Sequence, residues 1–196
     1  MAQERKTPDR RKQVTEAAAR SFASFGYKAT TMDQVAKLAN VGKGTIYTFY
    51  ANKEELFEVI MEELIRDLKA AADETLDSSL SFADNLLKVL HRVLDFRDRH
   101  ALAAKLSQEV LDIGTPMAKQ GLEKIERAII GYIAKHVEAA AAKGEIRPCD
   151  PRLTAYMMLK MYLALTAEGA HLHDPLTKEE VVDSFRLYCI EGLANR

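Results

Sequence analysis

Three features of this 196-residue chain predict an all-α protein with a small N-terminal head and a larger helical part. Apolar residues recur at three- and four-residue intervals over long stretches, the pattern of helices that bury one stripe. The five prolines and nine glycines fall mainly near the ends of those stretches, where helices start or stop. Charge is also divided along the chain. Residues 1–53 carry ten Lys/Arg against four Asp/Glu, a net +6, and residues 54–196 carry eighteen against twenty-five, a net −7. The basic part suits phosphate binding with release of counterions, whereas the acidic part would be repelled by a polyanion.

With 47% hydrophobic and 29% charged residues, the chain can bury a substantial core as an ordinary soluble protein of one or two domains. Its start, MAQERKTPDRRKQ, is polar and basic without the apolar segment of a secretory leader, and no run of about 18 apolar residues occurs. The cytoplasm is the expected location, with no membrane partner. Cys149 and Cys189 are too few for a disulfide framework and have no basic or metal-like setting, so both are expected to be ordinary reduced residues.

Residues 1–8 read as an arm. Arg5 and Lys6, with Arg10, Arg11 and Lys12, either add phosphate or minor-groove contacts or form a solvated tail. From Asp9 to Phe25, the residues Val14, Ala17, Ala18, Phe22 and Phe25 mark one helical face, and Gly26 ends the helix as a C-cap. Thr31 and Gln34 form a T-x-x-Q capping box, in which the hydroxyl and the amide each satisfy an orphan backbone donor. Val35, Ala36 and Ala39 give the helix started there its apolar face, and Asn40, which tolerates the left-handed conformation, turns the chain. A short helix over about Lys43 to Tyr50 turns Ile46 and Tyr50 inward and leaves Lys43, Thr45, Tyr47 and Thr48 outside.

Asn52 with Glu55 caps a helix from Lys53 to about Leu76 through Leu56, Phe57, Ile60, Met61, Leu64 and Leu68. Such a helix spans more than about 30 Å and can join the head mechanically to the larger helical part. Serines 78, 79 and 81 break the pattern before helices over about Phe82 to Arg97 and Ala101 to Leu111. Gly114 and Pro116 punctuate the chain again, and a helix from Pro116 to Lys143 carries Leu122, Ile125, Ile129, Ile133 and Val137. Asp150-Pro151 opens a helix to about His171. Thr177 with Glu180 opens the last one, which reaches Leu193 through Val181, Val182, Phe185 and Tyr188.

The ordered set Thr30-Thr31, Val35-Ala36, Ala39, Asn40-Val41-Gly42, Gly44-Thr45-Ile46-Tyr47 and Lys53-Glu54-Glu55-Leu56 resembles the helix-turn-helix of the TetR family of transcriptional repressors. The resemblance implies a DNA-binding domain at residues 1–53 and a helical effector-binding and dimerisation domain at residues 54–196. It implies a homodimer through the two C-terminal helices, where Ala155, Ala164, Gly169 and Gly192 permit close approach. It further implies that the partner is double-stranded DNA, bound at a palindromic operator by two recognition helices about 34 Å apart and released by a small hydrophobic effector. By position, the DNA-binding residues are Thr31, Lys43, Gly44, Thr45, Tyr47, Thr48 and Lys53. Two departures stand out. Asn40 and Gly42 replace the usual Gly and Ser, which weakens the cap by only about a few tenths of a kcal/mol. Phe49 stands where relatives often carry His or Tyr, so that side chain cannot make their phosphate hydrogen bond.

For the effector, Phe96, Met117, Met157, Met158, Met161 and Tyr162 form a deformable thioether and aromatic set suited to a lipophilic molecule, although core or dimer packing accounts for the same residues. No metal is expected: His171 and His173, near Glu168 and Asp174, are two apart and do not face together on a helix. The Gly42-Lys43-Gly44-Thr45 run lacks P-loop spacing. With no nucleophile, acid–base pair or cofactor motif, neither an enzyme nor a cofactor is expected. The alternative reading is a helical protein-interaction module that uses DNA only as an anchor.

Overall fold

A computed structural model describes residues 9–95, 97–168 and 174–193, and every regular element among them is helical. The expected arm at residues 1–8, the ligand candidate Phe96 and the expected helix end near His171 lie outside the described residues.

Helix α1 (Arg10–Ala29) begins where the Asp9 carboxylate accepts the Lys12 amide at 3.2 Å. Gly26 breaks this helix rather than ending it, with φ 82° and ψ 175°, a conformation costly for a residue with a Cβ. The break changes which aromatic is inside. Phe25, expected on the apolar face, is 54% exposed, and Tyr27 is buried instead, stacked on Phe22 at 5.9 Å.

Helix α2 (Met32–Leu38) starts with the full Thr31–Gln34 capping box, and Asn40 turns the chain at φ 52°. Helix α3 (Lys43–Tyr47) is shorter than the sequence predicts, yet the Tyr50 amide still donates to the Ile46 carbonyl at 2.9 Å, and Ile46 and Tyr50 are both buried. At the next start, Asn52 accepts the Glu55 amide at 2.8 Å and the Glu55 carboxylate reaches back to the Ala51 amide at 2.7 Å.

The chain continues through α4 (Lys53–Asp73), α5 (Phe82–Leu94), α6 (Arg97–Ile113), α7 (Pro116–Ala142), α8 (Pro151–Leu163) and α9 (Lys178–Phe185). Helices α8 and α9 each run into a π-helical turn, Ala164–Glu168 and Arg186–Ile190, and a short α10 (Glu191–Leu193) follows the second. A π turn inserts a residue and rotates the face of the residues beyond it. Tyr188, expected inward from α-helical spacing, lies within the second of these turns and is 70% exposed.

Two compact units result. The first comprises the chain up to Leu64 together with Asp98–Lys124, and the second comprises Ile65–Arg97 with the chain from Ile125 onward. This partition reflects packing and is distinct from a division of labour at residue 53. In the first unit, Val14, Phe22, Val35, Ile46, Tyr50, Leu56, Phe57 and Met61 are buried along with Leu106 of α6. Phe57 meets Phe22 and Tyr27 edge to face at 5.2 and 4.9 Å. In the second, Leu87, Leu90, Val137, Ala140, Met158, Val181, Val182 and Phe185 form the core.

The N-cap of α8 offers a local test. Asp150 accepts the amides of Arg152 and Leu153 at 2.9 and 3.0 Å, so Asp150→Ala is expected to cost about 1 kcal/mol in denaturant unfolding. A change below about 0.3 kcal/mol would show that water replaces the carboxylate at no loss.

Candidate nucleic-acid interface and ligand cavity

The segment from Thr31 to Lys53 presents its polar side chains on two short helices, α2 with a full capping box and α3 with Gly42 at its N-cap and no side-chain cap. Thr31 itself is occupied as a cap: its hydroxyl accepts the Gln34 amide at 3.2 Å, while its own amide donates to the Gln34 side chain at 2.9 Å. On α3, a Cβ added at Gly44 would meet nothing within 4 Å, so a phosphate backbone could approach closely there. Tyr47 is 47% exposed, which leaves its side chain accessible to a partner. Thr45 is half-buried, and its carbonyl accepts the exposed Thr48 hydroxyl at 2.6 Å.

Two lysines in this segment have partners that the sequence pattern does not reveal. The Lys43 ammonium pairs with Asp33 of α2 at 2.8 Å, and that hydrogen bond and charge hold its pKa above the usual lysine value. Lys53 donates to the carbonyls of Tyr27 and Thr30, both at 3.0 Å, and lies 4.3 Å above the Tyr27 ring. An ammonium has three N–H groups, so two of them tie α4 to the junction between α1 and α2, leaving one for other partners. The Tyr27 hydroxyl donates to Glu54 at 2.6 Å; burial pushes its pKa up, and the same bond lowers that of Glu54. At neutral pH the phenol therefore stays a donor and the carboxylate an acceptor.

The second unit contains a cavity of about 160 Å³ with walls of Leu68, Leu90, Val93, Ile129, Met158 and Tyr162, among others, and Lys69 is the charged residue in its lining. Burial raises the Tyr162 hydroxyl to about 12, so it is protonated at neutral pH. Nearby, Tyr132 donates to Asp73 at 2.6 Å. Of the six residues read from the sequence as ligand candidates, Met158 and Tyr162 line this space. Met157 is 60% exposed, Met161 packs on the core with its sulfur 3.5 Å from Cys189 Sγ, and Met117 belongs to the first unit. The aliphatic walls are invisible to sequence reasoning because an Ile or Leu facing a cavity has the same helical spacing as one facing a core.

Both cysteines are free, and burial pushes the Cys189 thiol up, away from the reactive thiolate. Among the described residues no group of His, Cys, Asp and Glu could hold a metal, and no helix is long and apolar enough to cross a membrane.

A family profile of bacterial regulatory proteins, the tetR family, matches residues 14–60. Over 186 residues the chain is 49% identical to YhgD, an HTH-type transcriptional regulator of Bacillus subtilis (strain 168), covering 95% of this chain and 97% of that one. The chain belongs to the tetR family. RutR, an HTH-type transcriptional regulator of Escherichia coli (strain K12), is a more distant relative at 21% identity, covering 95% of this chain and 92% of RutR. The fold also matches the fatty acid degradation regulator FadR of Bacillus halodurans with a TM-score of 0.73, at 17% identity over 93% of this chain and 95% of that one.

As a tetR-family transcriptional regulator, the protein carries its helix-turn-helix in α2 and α3, with α1 packed against α2. Such regulators act by binding DNA and are not enzymes.

Proposed function

We propose that this tetR-family regulator is a homodimeric repressor that binds a palindromic operator and is released from it by a small lipophilic ligand. Residues 1–53 form its DNA-binding part, residues 54–196 serve effector binding and dimerisation, and it works in the cytoplasm. The observation that carries this reading is the solvent-facing set Lys43, Gly44 and Tyr47 on α3, within an N-terminal part of net charge +6. In this reading Lys43 and Thr48 touch base edges or phosphates, Thr45, Tyr47 and Lys53 donate to phosphates, and Thr31, whose hydroxyl is taken up as the α2 cap, holds the start of that helix against the DNA backbone.

Dimerisation is supported by Leu153, Tyr156 and Met157 on α8 and by Leu187 and Tyr188 after α9, which are 42 to 70% exposed in the single chain. A dimer formed through these segments would cover that apolar surface. A lipophilic ligand is supported by the cavity, whose walls are mostly aliphatic and aromatic and whose volume suffices for a benzene-sized molecule. Release then requires the ligand to prefer the DNA-free state by about 5.5 kcal/mol if occupancy is to switch from 99:1 to 1:99.

The test has two arms. Genomic DNA fragments enriched by the protein and footprinted at low salt should show a protected inverted repeat; a dimer that protects none sinks the operator claim. In the second arm, Ala128→Phe, which fills the cavity wall, is expected to leave operator affinity unchanged while abolishing the thermal stabilisation given by hydrophobic compounds. A polar compound that both stabilises the protein and releases DNA would rule out the lipophilic ligand.

A further inference from the structure

One buried carboxylate in the first unit belongs neither to the DNA-facing set on α3 nor to the ligand cavity. Glu109 of α6 is only 6% exposed, and both of its oxygens accept the backbone N–H of Lys28, at 3.0 and 3.2 Å. Lys28 lies 81 residues earlier, between the Gly26 break and the α2 cap Thr31.

The same stretch is gripped from its carbonyl side. Lys53 Nζ donates to Tyr27 and Thr30, and the fully buried Thr30 hydroxyl donates to the Gly26 carbonyl at 2.8 Å. Gly26 is shaped for this arrangement, since a Cβ there would lie 2.2 Å from Glu109 Oε2 and its φ is already in the left-handed region. Satisfying one amide does not require a carboxylate: water or a neighbouring hydroxyl would do so without burying a charge. What Glu109 adds is a fixed attachment between α6 and the stretch from which α2 departs. It comes from a residue well outside the segment 14–60 that matches the family profile.

We propose that Glu109 is a positioning residue for operator binding. Through the Lys28 amide it fixes the direction in which α2 leaves α1, and with it the presentation of α3, without itself touching DNA. The proposal rests on the DNA-binding role of α2 and α3.

It is tested in the full-length protein with Glu109→Ala and Glu109→Gln, against the DNA sequence that wild type enriches from a random pool. Glu109→Ala should weaken binding at least tenfold while leaving dimer mass and the slope of log K against log salt unchanged, because the number of phosphate contacts is the same. Hydrogen exchange at the Lys28 amide should accelerate in that variant. Glu109→Gln retains a carbonyl oxygen for the amide and should recover affinity to within threefold of wild type.

Operator affinity of Glu109→Ala within twofold of wild type overturns the proposal, whatever happens to its melting temperature. So does a Glu109→Gln variant as weak as Glu109→Ala. Should the alanine variant not fold, Glu109→Asp, one methylene too short to reach, carries the same expected loss and the same overturning result. A wild-type protein that enriches no sequence overturns both this proposal and the operator reading, and does so before any variant is made.

Discussion

Phe57→Ala is expected to destabilise the first unit by about 3–5 kcal/mol, the range for emptying a buried aromatic site. Phe57 is 1% exposed, and its ring meets both Phe22 and Tyr27 edge to face, so the substitution removes two aromatic contacts together with the apolar burial. The neighbouring backbone cannot relax into the space at no cost, because α7 already meets the ring at a glycine. A Cβ at Gly121 would lie 2.9 Å from two ring carbons of Phe57 and 3.4 Å from the Met61 sulfur. Gly121→Ala is therefore expected to cost about 1–3 kcal/mol by overpacking. Combined with Phe57→Leu, whose side chain leaves room for the new methyl, that cost should shrink by at least half. Denaturant unfolding of the four proteins of this cycle measures the coupling. The first unit's transition is the one to follow if the two units unfold separately. Additive effects of the two substitutions would show that Gly121 and Phe57 do not share the space the geometry gives them.

The features legible in the sequence are those whose partners lie within one helical turn. The Thr31–Gln34 and Thr177–Glu180 boxes form as their three-residue spacing predicts, and the Asp150 cap as the Asp150-Pro151 pair predicts, because a cap is a contact between near neighbours. Asn40 likewise announces its left-handed turn. Gly26 is harder, since a glycine at a helix end fits a C-cap and a mid-helix break equally well, and only the aromatic cluster decides that Tyr27 goes in and Phe25 out. Lys53 and Glu109 are illegible for a different reason: their partners lie 23 to 81 residues away, and no local spacing encodes them. The candidate DNA-contacting side chains occupy a middle ground. Resemblance names their positions, but the Lys43–Asp33 pair that modifies one of them appears only when α2 and α3 are folded against each other.

That pair yields an expectation of opposite signs for its two members: Lys43→Ala should weaken operator binding, and Asp33→Asn should tighten it. Both side chains are more than half exposed, so in the free protein the pair contributes little to stability. On DNA the carboxylate competes with a phosphate or base edge for the same ammonium, and it also repels the phosphates directly. Removing Lys43 should lower the salt slope by about 0.9 per recognition helix if it neutralises a phosphate. If it reads a base instead, the loss of about 1–3 kcal/mol should depend on the base at one operator position. Asp33→Asn should raise affinity several-fold at low salt, with a gain that fades as salt rises. The double variant separates the two routes. If the gain from Asp33→Asn vanishes in the Lys43→Ala background, the carboxylate acts by occupying the lysine. A gain that survives there reports direct repulsion between Asp33 and the phosphates. Wild-type affinity in both single variants would remove Lys43 from the interface and leave Tyr47 and Gly44 as its centre.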